Sequence, residues 1–241
     1  MASIPHPEKV FKGGEDASFV SEDGYALGVF DGVGGWAGTG VDPAVYSRSL
    51  ASECAAAHKL TGSCSPKELL ERAWLNSQRV TGSSTACCVT LHGNTLRGAN
   101  VGDSGFLVVR QGALFYRQKE QQHGFNFPFQ LGTGSTDTPN DADCVELELQ
   151  AGDVVVASTD GVGDNLFPEE IVSIVGEGLT LGKSEAEIAT RIAQVASGRA
   201  NSATGRSPFE QSARQNGYEY SGGKLDDITV VVAIVEPNAK L

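Results

Sequence analysis

At 241 residues the chain is long enough to bury one large core without disulfides or oligomerisation, and it is expected to form a single domain, 1–241. Its 40% hydrophobic and 20% charged composition is that of a globular protein, not of a disordered or coiled one. A net charge of -12 with no block of Lys and Arg argues against a nucleic-acid surface, so the acid excess must be solvated or must hold cations. No run approaches about 18 apolar residues, and residues 1–10 lack the apolar stretch of a signal peptide, so no transmembrane segment is expected. The five cysteines are an odd number with Cys87 and Cys88 adjacent, which gives neither a disulfide framework nor a zinc spacing and suits a reducing compartment.

In chain order, a β-branched apolar run at 25–30 predicts a first strand. Asp42-Pro43 makes an N-cap and N1 pair opening a helix toward Leu60, and Ser65-Pro66 opens a second through about Arg79. Strands are expected at 85–91, 95–101, 106–110, 145–149 and 154–157. A third helix should run from Ser184 to about Ala196, and a last strand should occupy 228–235. Residues 118–142 and 197–223 show no clear pattern and are expected as surface loops near a functional site, since neither divides two core-forming halves. Strands in groups, with helices in groups around them, predict an α+β fold of antiparallel sheets covered by helices.

Four aspartates stand where a strand begins or ends: Asp31, Asp103, Asp160 and Asp226. One such Asp is usually a turn or cap residue; the repetition is the signal. Strands of a sheet can bring these ends to one edge, where carboxylates a few ångströms apart repel by roughly 4 kcal/mol per pair at an effective dielectric near 20. Bound cations or shifted pKa values would make that arrangement tolerable, and hard oxygen ligands without clustered His or Cys select Mg2+ or Mn2+ over zinc. In Asp31-Gly32-Val33-Gly34-Gly35 and Asp160-Gly161-Val162-Gly163-Asp164, glycine allows a sharp turn and close approach to a ligand.

The ordered set Gly14-Glu15-Asp16-Ala17, Asp31-Gly32-Val33-Gly34-Gly35, Gly82-Ser83-Ser84-Thr85-Ala86, Ala99-Asn100-Val101-Gly102-Asp103-Ser104, Ser158-Thr159-Asp160-Gly161 and Asp226-Asp227-Ile228-Thr229 resembles the protein phosphatase 2C (PPM) family of metal-dependent serine/threonine phosphatases. The likeness spans nearly the whole chain. PHPEKVFKGGEDASFV, DGVGGW, GDSGFLVVR and GGKLDDITVVV look more narrowly like its organelle-associated branch, which includes mitochondrial members and a chloroplast phosphatase of photosystem II core proteins. That implies a chloroplast or mitochondrial setting, with a targeting segment not present in this chain; the cytoplasm is the alternative.

The resemblance implies a sandwich of two antiparallel β-sheets flanked by helices, with two Mg2+ or Mn2+ ions at one edge. By position, Asp31 bridges both ions, the Gly32 carbonyl binds one, and Asp160 and Asp226 complete the other; these three aspartates are the expected catalytic set. Glu15 acts mainly through coordinated water, Asp16 supports the ligands, and Asp103 and Asp164 match a third, looser metal position. The implied substrate is a phosphoprotein carrying phosphoserine or phosphothreonine. Two cations neutralise the dianion and lower the pKa of a bridging water, whose hydroxide attacks phosphorus in line. The rival Cys-x5-Arg loop of thiol-dependent phosphatases is absent.

The chain also departs from the family pattern. Val33 stands where most relatives carry a histidine proposed as general acid, Phe11 where many have a phosphate-holding arginine, and Gly105 where arginine is common. Lys12, beside Phe11, could reach phosphate, and His123 is the first candidate for a replacement proton donor. A second reading is a catalytically weak, phosphatase-like binding or regulatory module; retention of Asp31, Asp160 and Asp226 together favours the enzyme. Gly32–Ala37 also fits a G-x-G-x-x-A dinucleotide fingerprint, but Gly38-Thr39-Gly40 forbids the helix whose N-terminus should face a pyrophosphate.

Overall fold

A computed structural model describes residues 1–62 and 65–237. Its strands are β1 (Ala2–Ile4), β2 (Asp16–Val20), β3 (Ala26–Asp31), β4 (Ser83–Ser84), β5 (Ala86–His92), β6 (Thr95–Val101) and β7 (Gly105–Arg110). They continue as β8 (Ala113–Arg117), β9 (Gln122–Gly124), β10 (Phe127–Pro128), β11 (Leu131–Gly132), β12 (Asp143–Glu148), β13 (Val154–Ser158) and β14 (Ile228–Ile234). The α-helices are α1 (Pro43–Thr61), α2 (Pro66–Asn76), α3 (Asp160–Gly163), α4 (Pro168–Thr180), α5 (Glu185–Ala200) and α6 (Pro208–Gln215).

Two five-stranded antiparallel sheets result, ordered β12-β6-β5-β3-β2 and β1-β14-β13-β7-β8. Successive side chains on a strand face opposite ways, and the burial follows that period. Leu27, Val29, Cys87, Val89, Phe106, Val108, Val155 and Val231 meet between the sheets. Their neighbours Phe30 and Cys88 instead face Leu50, Leu69 and Leu70 of α1 and α2. On the other side, Val154, Val156, Val230 and Val232 pack against Ile171, Val175, Ile188 and Ile192 of α4 and α5. The central strands of both sheets are therefore buried on both faces, in α-β-β-α order.

Asp42 caps α1 by accepting from the Ala44 N–H at 3.2 Å, and Ser65 with Glu68 forms a capping box on α2. The second helix stops at Asn76, short of the expected Arg79; a tight turn follows, closed by the Val80 N–H on the Ser77 carbonyl at 2.9 Å. α4 was hidden in the sequence because Gly176 and Gly178 interrupt its apolar period; Gly178 is where Ile188 packs, 2.6 Å from where a Cβ would lie. The patternless segments contain β9, β10, β11 and α6, elements too short to show a period. A single 3-10 helix, Gly34–Thr39, does follow the Gly32 loop, although no helix was expected there. The four described cysteines are thiols, and Cys64 lies outside the described residues.

Candidate active site

The ends of β3 and β2 in one sheet meet the ends of β13 and β14 in the other. Asp31 closes β3 directly opposite Asp16 at the start of β2. Its N–H donates to Thr85 Oγ1 at 3.1 Å, and the Thr85 hydroxyl is held by the Ser104 hydroxyl at 2.7 Å. Gly32 must be glycine: a Cβ there would fall 2.6 Å from the Pro43 carbonyl and 2.8 Å from that of Glu15. From the second sheet, Asp160 opens α3 immediately after β13, and Asp226 lies just ahead of β14. Gly161 lets these approach, since its Cβ would sit 2.1 Å from the Asp227 carbonyl. Thr159 Oγ1 donates to Asp16 Oδ2 at 2.7 Å and ties the sheets together at this edge. Asp103 sits in the β6–β7 turn.

Electrostatics show that these carboxylates feel one another. Burial pushes Asp31 well above the usual carboxylate range, and the charges of Asp160, Asp16, Asp226 and Asp103 push it further. Asp103 is raised by burial and by Asp160 and Asp164, and Asp16 by burial and by Asp227. Asp226 is raised by burial and by Asp160, while burial carries Asp164 up to about 7 against the pull of Lys224. Asp160 alone is lowered: burial opposes its ionisation, but the Lys224 charge and hydrogen bond prevail.

Three lysines answer the acids. Lys9 and Lys12 lie on a 3-10 helix, Pro7–Lys12, whose three-residue turn puts them on one face. Lys9 Nζ is 2.6 Å from Glu15 Oε2 and 3.0 Å from Asp227 Oδ2; Lys12 Nζ is 2.7 Å from Glu15 Oε1 and 2.8 Å from Asp42 Oδ1. Phe11, at the position compared with an arginine, turns outward at 87% exposure. Lys224 Nζ lies 2.6 Å from Asp160 Oδ2, 2.7 Å from Asp164 Oδ2 and 3.1 Å from Asp226 Oδ2. Buried Asp227 is a structural hub, accepting from the N–H groups of His6 and Glu15 at 2.8 and 3.0 Å.

The structure thus gathers Glu15, Asp16, Asp31, Gly32, Asp103, Asp160, Asp164 and Asp226 as expected from the sequence. His123 has other partners: its Nε2 is 2.9 Å from Asp137 Oδ2, and its ring stacks on Phe129 with centroids 4.1 Å apart. Lys9, Lys224 and Asp227 were missed. Their only signal was adjacency to acidic motifs, which ordinarily marks a solvated charge.

Whether divalent cations suit this site is answered by its orphaned oxygens. Asp16 Oδ1, Asp103 Oδ1 and Asp160 Oδ1 are buried without a hydrogen-bond partner. Carboxylates that repel one another and keep lone pairs unmatched are hard donors for a cation. Among the described residues no three acids, His or Cys already stand in metal-holding geometry. Three of the acids are spaced around an ammonium group instead, at 2.6 to 3.1 Å. The chemistry of the donor set, hard carboxylate oxygens with unmatched lone pairs, suits a hard divalent cation.

A two-sheet sandwich with carboxylates collected at one edge is what this chain shares with relatives that carry phosphatase names. The family model described as Stage II sporulation protein E (SpoIIE) matches residues 21–236. "Probable protein phosphatase 2C 80" of Arabidopsis thaliana is 46% identical over 237 residues, covering 96% of this chain but 57% of the relative. "Protein phosphatase PTC7 homolog fig" of Drosophila virilis is 40% identical, covering 95% of this chain and 80% of the relative. The X-ray structure of the photosystem II phosphatase PBCP superposes with a TM-score of 0.92 at 35% identity, covering 98% of this chain and 97% of that one. The chain therefore belongs to the protein phosphatase 2C family, with a domain of the SpoIIE description.

Proposed function

We propose that the chain is one metal-dependent phosphatase domain, 1–241, hydrolysing phosphoserine and phosphothreonine in proteins by in-line attack of water. The observation that carries this reading is the convergence of acids from both sheets on a cluster with unmatched buried oxygens. Nine carboxylates (Glu15, Asp16, Asp31, Asp42, Asp103, Asp160, Asp164, Asp226 and Asp227) lie around three ammonium groups (Lys9, Lys12 and Lys224), an acid excess that divalent cations would help to offset. Asp31, the Gly32 carbonyl, Asp160 and Asp226 would hold two Mg2+ or Mn2+ ions, Glu15 would assist through water, and Asp103 and Asp164 would serve a looser third. Bound there, the ions would neutralise the phosphate dianion and lower the pKa of water.

The chain's own residues set the rest. Pairing of β2 with β3 sets Asp31 opposite Asp16, and the Thr159 hydroxyl holds Asp16. Lys12 places a cation beside Glu15 from which it could meet phosphate. Val33 offers no proton to the leaving oxygen. Resemblance to the organelle branch and likeness to the photosystem II phosphatase support an organellar setting.

The test is hydrolysis of an aryl phosphate and of a phosphothreonine peptide, which should require Mn2+ or Mg2+ and stop with a chelator. Undiminished turnover after confirmed metal removal refutes the reading. Metal binding without turnover on either substrate would favour the regulatory module instead.

A further inference from the structure

The cation among Asp160, Asp164 and Asp226 in this structure is the chain's own Lys224, and its placement is built. Fully buried Asn165 brackets the Lys224 backbone, donating from Nδ2 to its carbonyl at 2.9 Å and accepting its N–H on Oδ1 at 3.0 Å. The same Nδ2 group also donates to the Gly161 carbonyl at 2.9 Å. Asn165 directly follows the turn that carries Asp160 and Asp164, so the root of the lysine is fixed to two of its three carboxylates. Gly223 permits the approach, because a Cβ there would lie 2.0 Å from the Arg199 carbonyl. The side chain is 15% exposed, and its Nζ lies 5.2 Å from the centre of the Phe209 ring.

We infer that Lys224 is an exchangeable counter-ion: it holds Asp160, Asp164 and Asp226 together before a divalent cation binds, and it is displaced when one does. The inference rests on the metal-dependent reading above. The same three carboxylates cannot serve both cations at full strength. An ion with twice the charge, at about 2.1 Å in place of about 2.7 Å, attracts each oxygen roughly two and a half times as strongly. That attraction favours the divalent cation once it has shed water, but it binds against an occupant, and its affinity is lower than the bare carboxylates would give. The exchange can be confined to the side chain, because Asn165 pins the backbone while the four-carbon stem has rotatable bonds through which the ammonium can turn away. Lys9 is not equivalent: it holds Glu15 and Asp227 and stands 4.0 Å from Asp226.

The experiment is calorimetric titration of Mn2+ into the chelator-stripped full chain, comparing wild type with Lys224→Met and Lys224→Gln, alongside melting of the stripped proteins. Both variants should bind Mn2+ at least about tenfold more tightly and should melt at a lower temperature when stripped. Folded variants that bind Mn2+ no more tightly than wild type overturn the inference. Should the stripped variants not fold, the wild type decides. The Lys224 ammonium protons, held by three carboxylates, should be visible by NMR in the stripped protein and lost to solvent exchange at Mg2+ saturation; a signal that persists at saturation overturns the exchange. Metal binding by wild type with unaltered variants defeats this inference alone, whereas no uptake by any form defeats the metal-dependent reading with it.

Discussion

Gly161→Ala tests how closely the two halves of the site must approach. Its Cβ would arrive 2.1 Å from the Asp227 carbonyl oxygen, and 3.0 Å from Ile228 Cγ1. Ordinary contact begins at 3.4 Å, so α3 and the 226–227 loop must separate by about 1.3 Å. The clash is purely steric, since Gly161 is not among the residues with positive φ. Asp160 rides on one side of that gap and Asp226 on the other. A displacement of about 1 Å in a catalytic constellation can cost on the order of 100-fold in rate, while overpacking one methyl costs about 1–3 kcal/mol of stability. We expect a folded protein whose kcat falls about 100-fold, with weaker Mn2+ binding by titration. A variant with kcat within threefold of wild type and unaltered Mn2+ affinity would show that the approach of α3 to this loop does not set the site.

Asp31→Ala, Asp160→Ala and Asp226→Ala should each abolish turnover yet leave the chelated protein folded, as circular dichroism would show; Asp103→Ala and Asp164→Ala should be milder. Near-normal kcat in Asp31→Ala would remove it from the ligand set. Without metal, Asp16, Asp31, Asp103 and Asp164 bind protons more tightly folded than unfolded. Their stabilising contribution is complete below about pH 4 and is lost as pH rises through the folded values, about 7 for Asp164. The melting temperature of chelated protein should therefore fall between about pH 5 and about pH 7.5, and Mn2+ should flatten that slope; a chelated protein that gains stability over this range contradicts the crowding. Val33→His should raise kcat on a phosphoserine peptide by a larger factor than on an aryl phosphate, because a positioned acid is worth about 100- to 10,000-fold and matters most for a basic leaving group. Equal factors on both substrates would point to another donor already present, and since Asp137 and Phe129 hold His123, His123→Ala would test it directly.

Local chemistry in the sequence was enough to reveal most of the clustered acids, the glycines and seven of the ten strands in the two large sheets, β1, β2 and β8 being missed. Asp31, Asp103, Asp160 and Asp226 stand out because each breaks an apolar run, and Asp42-Pro43 and Ser65-Pro66 carry their caps within two residues. These signals depend on neighbours in the chain, so they survive without a fold. Nothing local could show that Asp16 lies opposite Asp31, that Thr159 grips Asp16, or that the tight fit at Gly161 draws Asp160 toward Asp226. Those follow from sheet register and close packing between segments far apart in sequence. The lysines make the same point. Lys9 and Lys224 look like ordinary solvated charges until the fold points them inward, Lys9 by the 3-10 turn that shares its face with Lys12 and Lys224 by the Asn165 bracket. A charge acquires a role only when burial and an opposing charge meet at one place, and that meeting is decided by tertiary structure.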